Sequence, residues 1–295
     1  DFTNNVVASE EPVVQQQIGG GGIGVADTVE MTVTGCRFIG NVSADGVGGG
    51  LSTTGGSTAT IVDCEFRRNY SALGGGGVHN GTIPGSGDPD LEAASTTTMI
   101  NCLLSCNETE AVGGGVHNEE ACTLTMINCS AGHNDALDGG GLANFGVLAD
   151  VVNSILYKNR APGPGADEIL DDAGTAMVSY SLVRHGWPGI GNIHKNPKWI
   201  DAHQNDCDAD TNDYRLRHNS RAIDAGTNGV VTETTDLDGN PRIVDDVVDM
   251  GAYEFQTVMG DDDDDDDDDD NADAPTWYRE IGLTGRKAKD GATGR

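Results

Sequence analysis

Oxygen-bearing side chains crowd one short stretch of the chain, Asn205-Asp206-Cys207-Asp208-Ala209-Asp210-Thr211-Asn212-Asp213. Oxygens at alternate positions of a loop can wrap a hard cation, so Asp206, Asp208, Asp210, Asn212 and Asp213 form a candidate Ca2+ set. The stretch opens as an EF-hand loop does, but its sixth position is Thr211 rather than Gly and its twelfth is Arg217 rather than Glu. A solvated acidic turn is the competing reading. Asp236, Asp238 and Asn240 make a shorter version that turn-making alone explains. Two further candidates lie upstream. His79 and His117 recur in one context, Val78-His79-Asn80 and Val116-His117-Asn118, and can be read as a stacked surface pair or as a ligand or acid/base pair. Asp63 and Glu65, two residues apart, are the one acidic couple that could bind or act on a glycan by acid/base chemistry.

The elements that would position these groups repeat. Cys36-Arg37-Phe38 to Asn41, Cys64-Glu65-Phe66 to Asn69, Cys102-Leu103-Leu104 to Asn107, Cys129-Ser130-Ala131 to Asn134 and Ser154-Ile155-Leu156 to Asn159 are copies of one phrase. A glycine cluster accompanies each: Gly20 to Ile23, Gly48 to Leu51, Gly75 to Val78, Gly113 to Val116 and Gly139 to Leu142. The first positions of the phrase advance by 28, 38, 27 and 25 residues (64−36, 102−64, 129−102, 154−129), and the residues ending the glycine clusters by 28, 27, 38 and 26 (51−23, 78−51, 116−78, 142−116). Both series lengthen once, which places an insertion of about 11 residues in the polar segment Gly81 to Ala94. Short β-branched runs such as Thr60-Ile61-Val62 and Thr98-Met99-Ile100 precede the phrase, and no helical period intervenes. A repeat of this length with two or three short strands predicts an all-β fold, a right-handed parallel β-helix of about six coils.

Register follows from that geometry. Equivalent residues of successive coils stack about 4.8 Å apart, so Cys36, Cys64, Cys102, Cys129 and Ser154 form an inward ladder of small side chains. Phe38, Phe66, Leu104, Ala131 and Leu156 form a second on the same face. The asparagines form an amide ladder at a turn. The flanking columns, Gly35, Asp63, Asn101, Asn128, Asn153 and Arg37, Glu65, Leu103, Ser130, Ile155, point outward; acids occur in them only at Asp63 and Glu65, which weakens an enzymatic reading. The sequons starting at Asn41, Asn69, Asn80, Asn107 and Asn128 are by-products of asparagine-rich turns. The four ladder cysteines are read as free thiols, Cys106 and Cys122 as potential partners, and Cys207 as single.

Composition bounds the partners. Aromatics are only 5% of the residues, too few for a bulky core, and the formal charge is −31. Removing the ten aspartates Asp261 to Asp270 leaves −21 (−31 + 10), so nucleic acid and anionic membranes are repelled. No run of 18 apolar residues exists to span a bilayer. The chain starts at Asp1 rather than Met, compatible with a signal peptide either removed or never included. The poly-aspartate run predicts an extended, disordered acidic linker, followed by a tail with one small apolar patch and a basic end.

The Cys-x-Phe-x-x-Asn phrase with its Gly-Gly-Gly-(Leu/Val) partner resembles the parallel β-helix repeats of bacterial surface proteins and is similar to polymorphic outer-membrane protein repeats. Five later motifs resemble, in order, the closing motifs of choice-of-anchor Q domain proteins: Asn196 to Asp201, Asp213 to Leu216, Ser220 to Gly226, Asp236 to Arg242 and Val248 to Glu254. The resemblance covers roughly residues 19 to 255 and implies an extracellular or cell-surface protein. The expected organisation is a lead-in (1–18), β-helix repeats (19–185), a small C-terminal cap (186–256) and the acidic linker and tail (257–295). The expected function is non-catalytic adhesion through a repeat face to carbohydrate, extracellular matrix or a cell surface. A polysaccharide lyase or hydrolase acting on acidic glycans, and a self-associating structural fibre, are the alternatives.

Overall fold

In the computed structural model the described residues are 1–7, 19–83, 85–162, 167–172, 174–202, 207 and 212–256. Asp206, Asp208, Asp210 and the poly-aspartate tail lie outside them. The fold is a parallel β-helix whose strands form three long sheets and one narrow one. Each coil passes through them in a fixed order, as in Leu51–Thr53, Thr58–Val62, Glu65–Arg67 and Tyr70–Ser71. We call these the glycine-side, threonine, cap-side and narrow sheets. The first two hold six strands each, the cap-side sheet seven. The seventh comes from the lead-in, because Phe2–Thr3 pairs with the strand Arg37–Ile39 and Val6–Val7 adds to the narrow sheet. The solenoid therefore begins earlier in the chain than the repeats alone indicate.

Parallel register puts like on like. Val33, Ile61, Met99, Met126, Val151 and Val178 align down the threonine sheet and are buried. Phe2, Phe38 and Phe66 stack with centroids 4.9 and 4.6 Å apart. The thiol ladder is present: Cys64, Cys102 and Cys129 are fully buried, and the Cys36 amide donates to Cys64 Sγ at 3.4 Å. Ser154 and Ser181 continue it with hydroxyls, each accepting from the preceding coil at 3.0 Å. Burial pushes the Cys64 thiol up to about 12, so these are inert core groups.

Backbone geometry selects the corner residues. Gly35, Asp63, Asn101, Asn128 and Asn153 occupy the same corner with φ of 51–62°, the left-handed region that Gly, Asn and Asp tolerate best. Packing selects the middle glycine of each triplet: a Cβ on Gly76 would lie 2.5 Å from Glu108 O and 2.6 Å from Gly114 O, the backbone of the next coil.

The amide ladder is longer than its five asparagines. Asn5 Nδ2 donates to Asn41, Asn41 to Asn69, Asn69 to Asn107, Asn107 to Asn134 and Asn134 to Asn159, at 2.8–3.0 Å. Asn159 then donates to the buried carboxylate of Glu168. From Asn41 to Asn159 each ladder amide also satisfies a carbonyl of the preceding coil, as Asn107 does Phe66 O at 2.9 Å. A second ladder, Asn80, Asn118, Asn144, ends the same way on Asp171. All five sequon asparagines are fully buried, which keeps them from any glycan-transferring enzyme in the folded chain.

The cap lies on the outer face of the cap-side sheet. Trp199–Asp201 and Asp213–Leu216 pair antiparallel, and Trp199, Tyr214, Leu216, Met250, Ala252 and Tyr253 pack against Leu103, Ile155, Tyr157 and Leu182. Trp199 sits where Gly132 leaves room, since a Cβ there would lie 2.8 Å from the indole. The outward columns of this sheet thus point outward, but from Asn101 and Leu103 onward they are covered by protein rather than water, whereas Gly35 and the Arg37 side chain stay exposed. A disulfide joins Cys106 of the solenoid to Cys207 of the cap across 101 residues. This corrects the expected pairing: Cys122 is a buried free thiol that accepts from Ser95 N at 3.3 Å. Closing so long a loop restricts the unfolded chain by about 4–5 kcal/mol in the chain-entropy picture.

Candidate functional site

The two histidines are brought together by register. His79 pairs with His117 on the glycine-side sheet, between Ser52 on one side and Ala143 on the other. Their side chains point away from the solenoid interior, yet His79 is fully buried and His117 only 7% exposed. The rings are 5.1 Å apart and tilted by 59°. The pair is therefore neither stacked nor on the surface. The turn entering each strand folds back over it: a Cβ on Gly75 would sit 2.9 Å from His79 Cβ, and one on Gly74 2.6 Å from His117 Nδ1. Phe145 closes the far side with its ring edge, centroids 5.7 Å apart.

Glu119 completes the group. It follows His117 by two residues and brings a carboxylate oxygen to 3.9 Å from His79 Nε2. Its other oxygen accepts the amide of Thr82 at 3.0 Å, so the insertion expected at Gly81 to Ala94 lies beside the histidines. Gly81 fills the register place of Glu119 in the preceding coil, and a side chain there would collide with both His79 Nε2 and the carboxylate. One ligand atom from each of His79, His117 and Glu119 falls within 4.8 Å of the others. Burial lowers both histidines to about 3, with mutual repulsion as a second cause at His117. They are neutral imidazoles with lone pairs available. Neither ring nitrogen of His79 has a hydrogen-bond partner, nor does His117 Nδ1. A buried polar atom left unpaired costs about 1–3 kcal/mol, so this arrangement calls for a physical reason.

No protein-family model, curated protein or solved structure matches the chain.

The other sequence-derived sites are dispersed. Asp63 sits at the sheet corner, where it accepts Asn101 Nδ2 at 3.0 Å and burial raises its pKa. Glu65 lies on the adjoining strand between Arg37 at 3.6 Å and Arg67 at 3.0 Å. Both carboxylates are committed to neighbours, and the cap buries Leu103, Ser130 and Ile155 of the same outer column. Of the candidate calcium set, Asn212 and Asp213 are described. Asp213 is held by Arg215 at 3.1 Å and Asn212 Nδ2 lies 3.9 Å from Cys106 Sγ. Asp236 serves as a turn former, accepting the amides of Asp238, Asn240 and Glu254 at 2.8–3.0 Å.

One feature escaped the sequence reading although its letters repeat. The outer face of the threonine sheet carries Thr58, Thr96 and Thr123 in one column and Thr32, Thr60, Thr98 and Thr125 in the next, exposed or half-buried. The spacing is about 4.8 Å between coils and about 6.6 Å along each strand. Glu30 and Asp150 stand at opposite ends of the array.

Proposed function

We propose that the protein is a secreted or cell-surface β-helix that binds a carbohydrate polymer along its threonine face without turning it over. The observation that carries this reading is the contrast between two outer faces of one solenoid. The cap-side sheet is buried under residues of the cap, whereas the threonine sheet offers a flat lattice of hydroxyls and methyls. A polymer with a regular repeat meets the same groups at every coil, so weak contacts add through multivalency. The Cys106–Cys207 disulfide supports an oxidising, extracellular address. The motifs resembling choice-of-anchor Q proteins supply the strands and turns of the cap, which favours a surface protein of that kind. Calcium bound through the set Asp206, Asp208, Asp210, Asn212 and Asp213 belongs to the same reading as an accessory.

The test is a pull-down on insoluble polysaccharides together with a glycan array, comparing the wild type with the triple variant Thr60→Ala, Thr98→Ala, Thr125→Ala. Binding should weaken by about tenfold or more, the loss of about 1.4 kcal/mol or more, while thermal unfolding stays unchanged. Undiminished binding in the variant, no glycan bound by the wild type, or release of unsaturated or reducing-end products would overturn the proposal.

A further inference from the structure

The histidine pair lies on a different sheet from the threonine lattice and from the cap, and neither uses it. We propose that His79, His117 and Glu119 form a binding site for a divalent transition-metal ion, zinc in preference to calcium or magnesium. Two imidazoles and one carboxylate are the donors that borderline metals select, whereas calcium and magnesium take all-oxygen sets. Three protein ligands leave a fourth tetrahedral position for water.

Three observations point to an ion rather than to a packed pair of rings. The nitrogens of His79 have no hydrogen-bond partner although the side chain is fully buried. The three donors already converge to within 4.8 Å. Zinc bonds of about 2.0–2.2 Å require donors roughly 3.3–3.5 Å apart, a contraction that takes rotation of Glu119, with a side chain 16% exposed, together with small turns of the two imidazoles. Finally, only glycine fits beside the donors: a Cβ would lie 2.3 Å from His79 Nε2 and 2.5 Å from a Glu119 carboxylate oxygen at Gly81, and 2.6 Å from His117 Nδ1 at Gly74, so no side chain stands among them. An ion seated there would tie the coil carrying the insertion to the coil after it, replacing unpaired nitrogens by metal bonds.

The experiment uses the full chain and separates this site from the acidic tail, which also attracts cations. Zn2+ titration by calorimetry and Co2+ titration by visible absorption are run on the wild type and on His117→Gln, Glu119→Gln and Gly81→Ala, with excess Ca2+ present to occupy carboxylate-only sites. The wild type should bind one Zn2+ under excess Ca2+, gain thermal stability on binding, and give Co2+ bands of a nitrogen-containing, low-coordinate site. His117→Gln should weaken this event by roughly 100-fold, at least the loss that outer partners of a ligand already cause. Gly81→Ala keeps every ligand and should weaken it too, by filling the cradle. Circular dichroism identifies any variant that fails to fold, and Glu119→Gln at its partly exposed position keeps the comparison available in that case. Absence of a calcium-resistant event, or an event of equal strength in wild type and folded variants, would overturn the site.

Discussion

The solenoid and the cap both bury polar groups, and they do so by opposite means. Along the ladders of the solenoid the buried groups are neutral amides that repeat, each donating to the next and accepting from the last, until a carboxyl ends the run. Inside the cap they are charges that do not repeat. Arg242 is fully buried, with Nη2 donating to the carbonyls of Asp249 and Gly251 at 3.0 and 2.7 Å, and it is surrounded by Asp236, Asp249 and Glu254. Burial, the largest cause at each, raises Asp236, brings Asp249 to about 6 and Glu254 to about 7, and lowers Arg242. Repetition lets polar groups pay for one another; a singular site must rely on one cation.

The sharpest way to break this comparison is Arg242→Met. It removes the cation from among three buried carboxylates and should destabilise the chain by about 3–5 kcal/mol at neutral pH, read as the midpoint of urea unfolding. A loss below about 1 kcal/mol would mean that the backbone amides alone satisfy the cluster. Asn107→Ala tests the ladder. It leaves the Asn69 backbone N–H without its acceptor, removes one of the two partners of Asn69 Nδ2 and of Asn134 Oδ1, and takes the side-chain donor from Phe66 O in the middle of the relay, and a loss of about 2–3 kcal/mol is expected. Hydrogen exchange should loosen in the adjoining coils on both sides, whereas loosening of the cap alone would contradict a continuous ladder.

A third effect, visible only as a dependence on pH, sits where the two schemes meet. Glu168 ends the amide ladder with a titratable group, and burial raises it from 4.5 to about 8. The folded chain keeps this proton up to about pH 8 while the unfolded chain releases it near 4.5, so its contribution to stability declines as pH rises through that window. The slope is at most ~1.4 kcal/mol per pH unit. Glu168→Gln retains an acceptor oxygen and abolishes the titration, so its stability against pH, followed by thermal melts, should be flatter than that of the wild type. Parallel curves would remove Glu168 from the ladder's energetics.

What repeats was legible in the sequence. The Cys36, Cys64, Cys102, Cys129 column and the Asn41 to Asn159 ladder are visible as recurring letters, and the register that aligns His79 with His117 follows from the same count. What occurs once was hidden. Cys207 pairs with Cys106 because the cap folds back over the sheet, a long-range event with no periodic trace. Leu103 and Ile155 face outward as their column requires but are buried by residues a hundred or so positions later. Glu119 escaped for a subtler reason. Its register partner is Gly81, the first residue of the insertion, and only the aligned tetrapeptides Val78 to Gly81 and Val116 to Glu119 show a carboxylate set against a vacancy. The threonine columns were available by the same alignment, but each run reads first as a strand signal and only second as a surface.

The amide relay has a direction, since every amide-to-amide bond along it runs toward the following coil, while the second hydrogen of each Nδ2 from Asn41 onward returns to a carbonyl of the preceding one, and the last acceptor is a carboxyl rather than an amide. Glu168 and Asp171 act as full stops. A gene that lengthens this rod by copying a coil must place the copy ahead of them, and a copy placed beyond would start with no amide to receive.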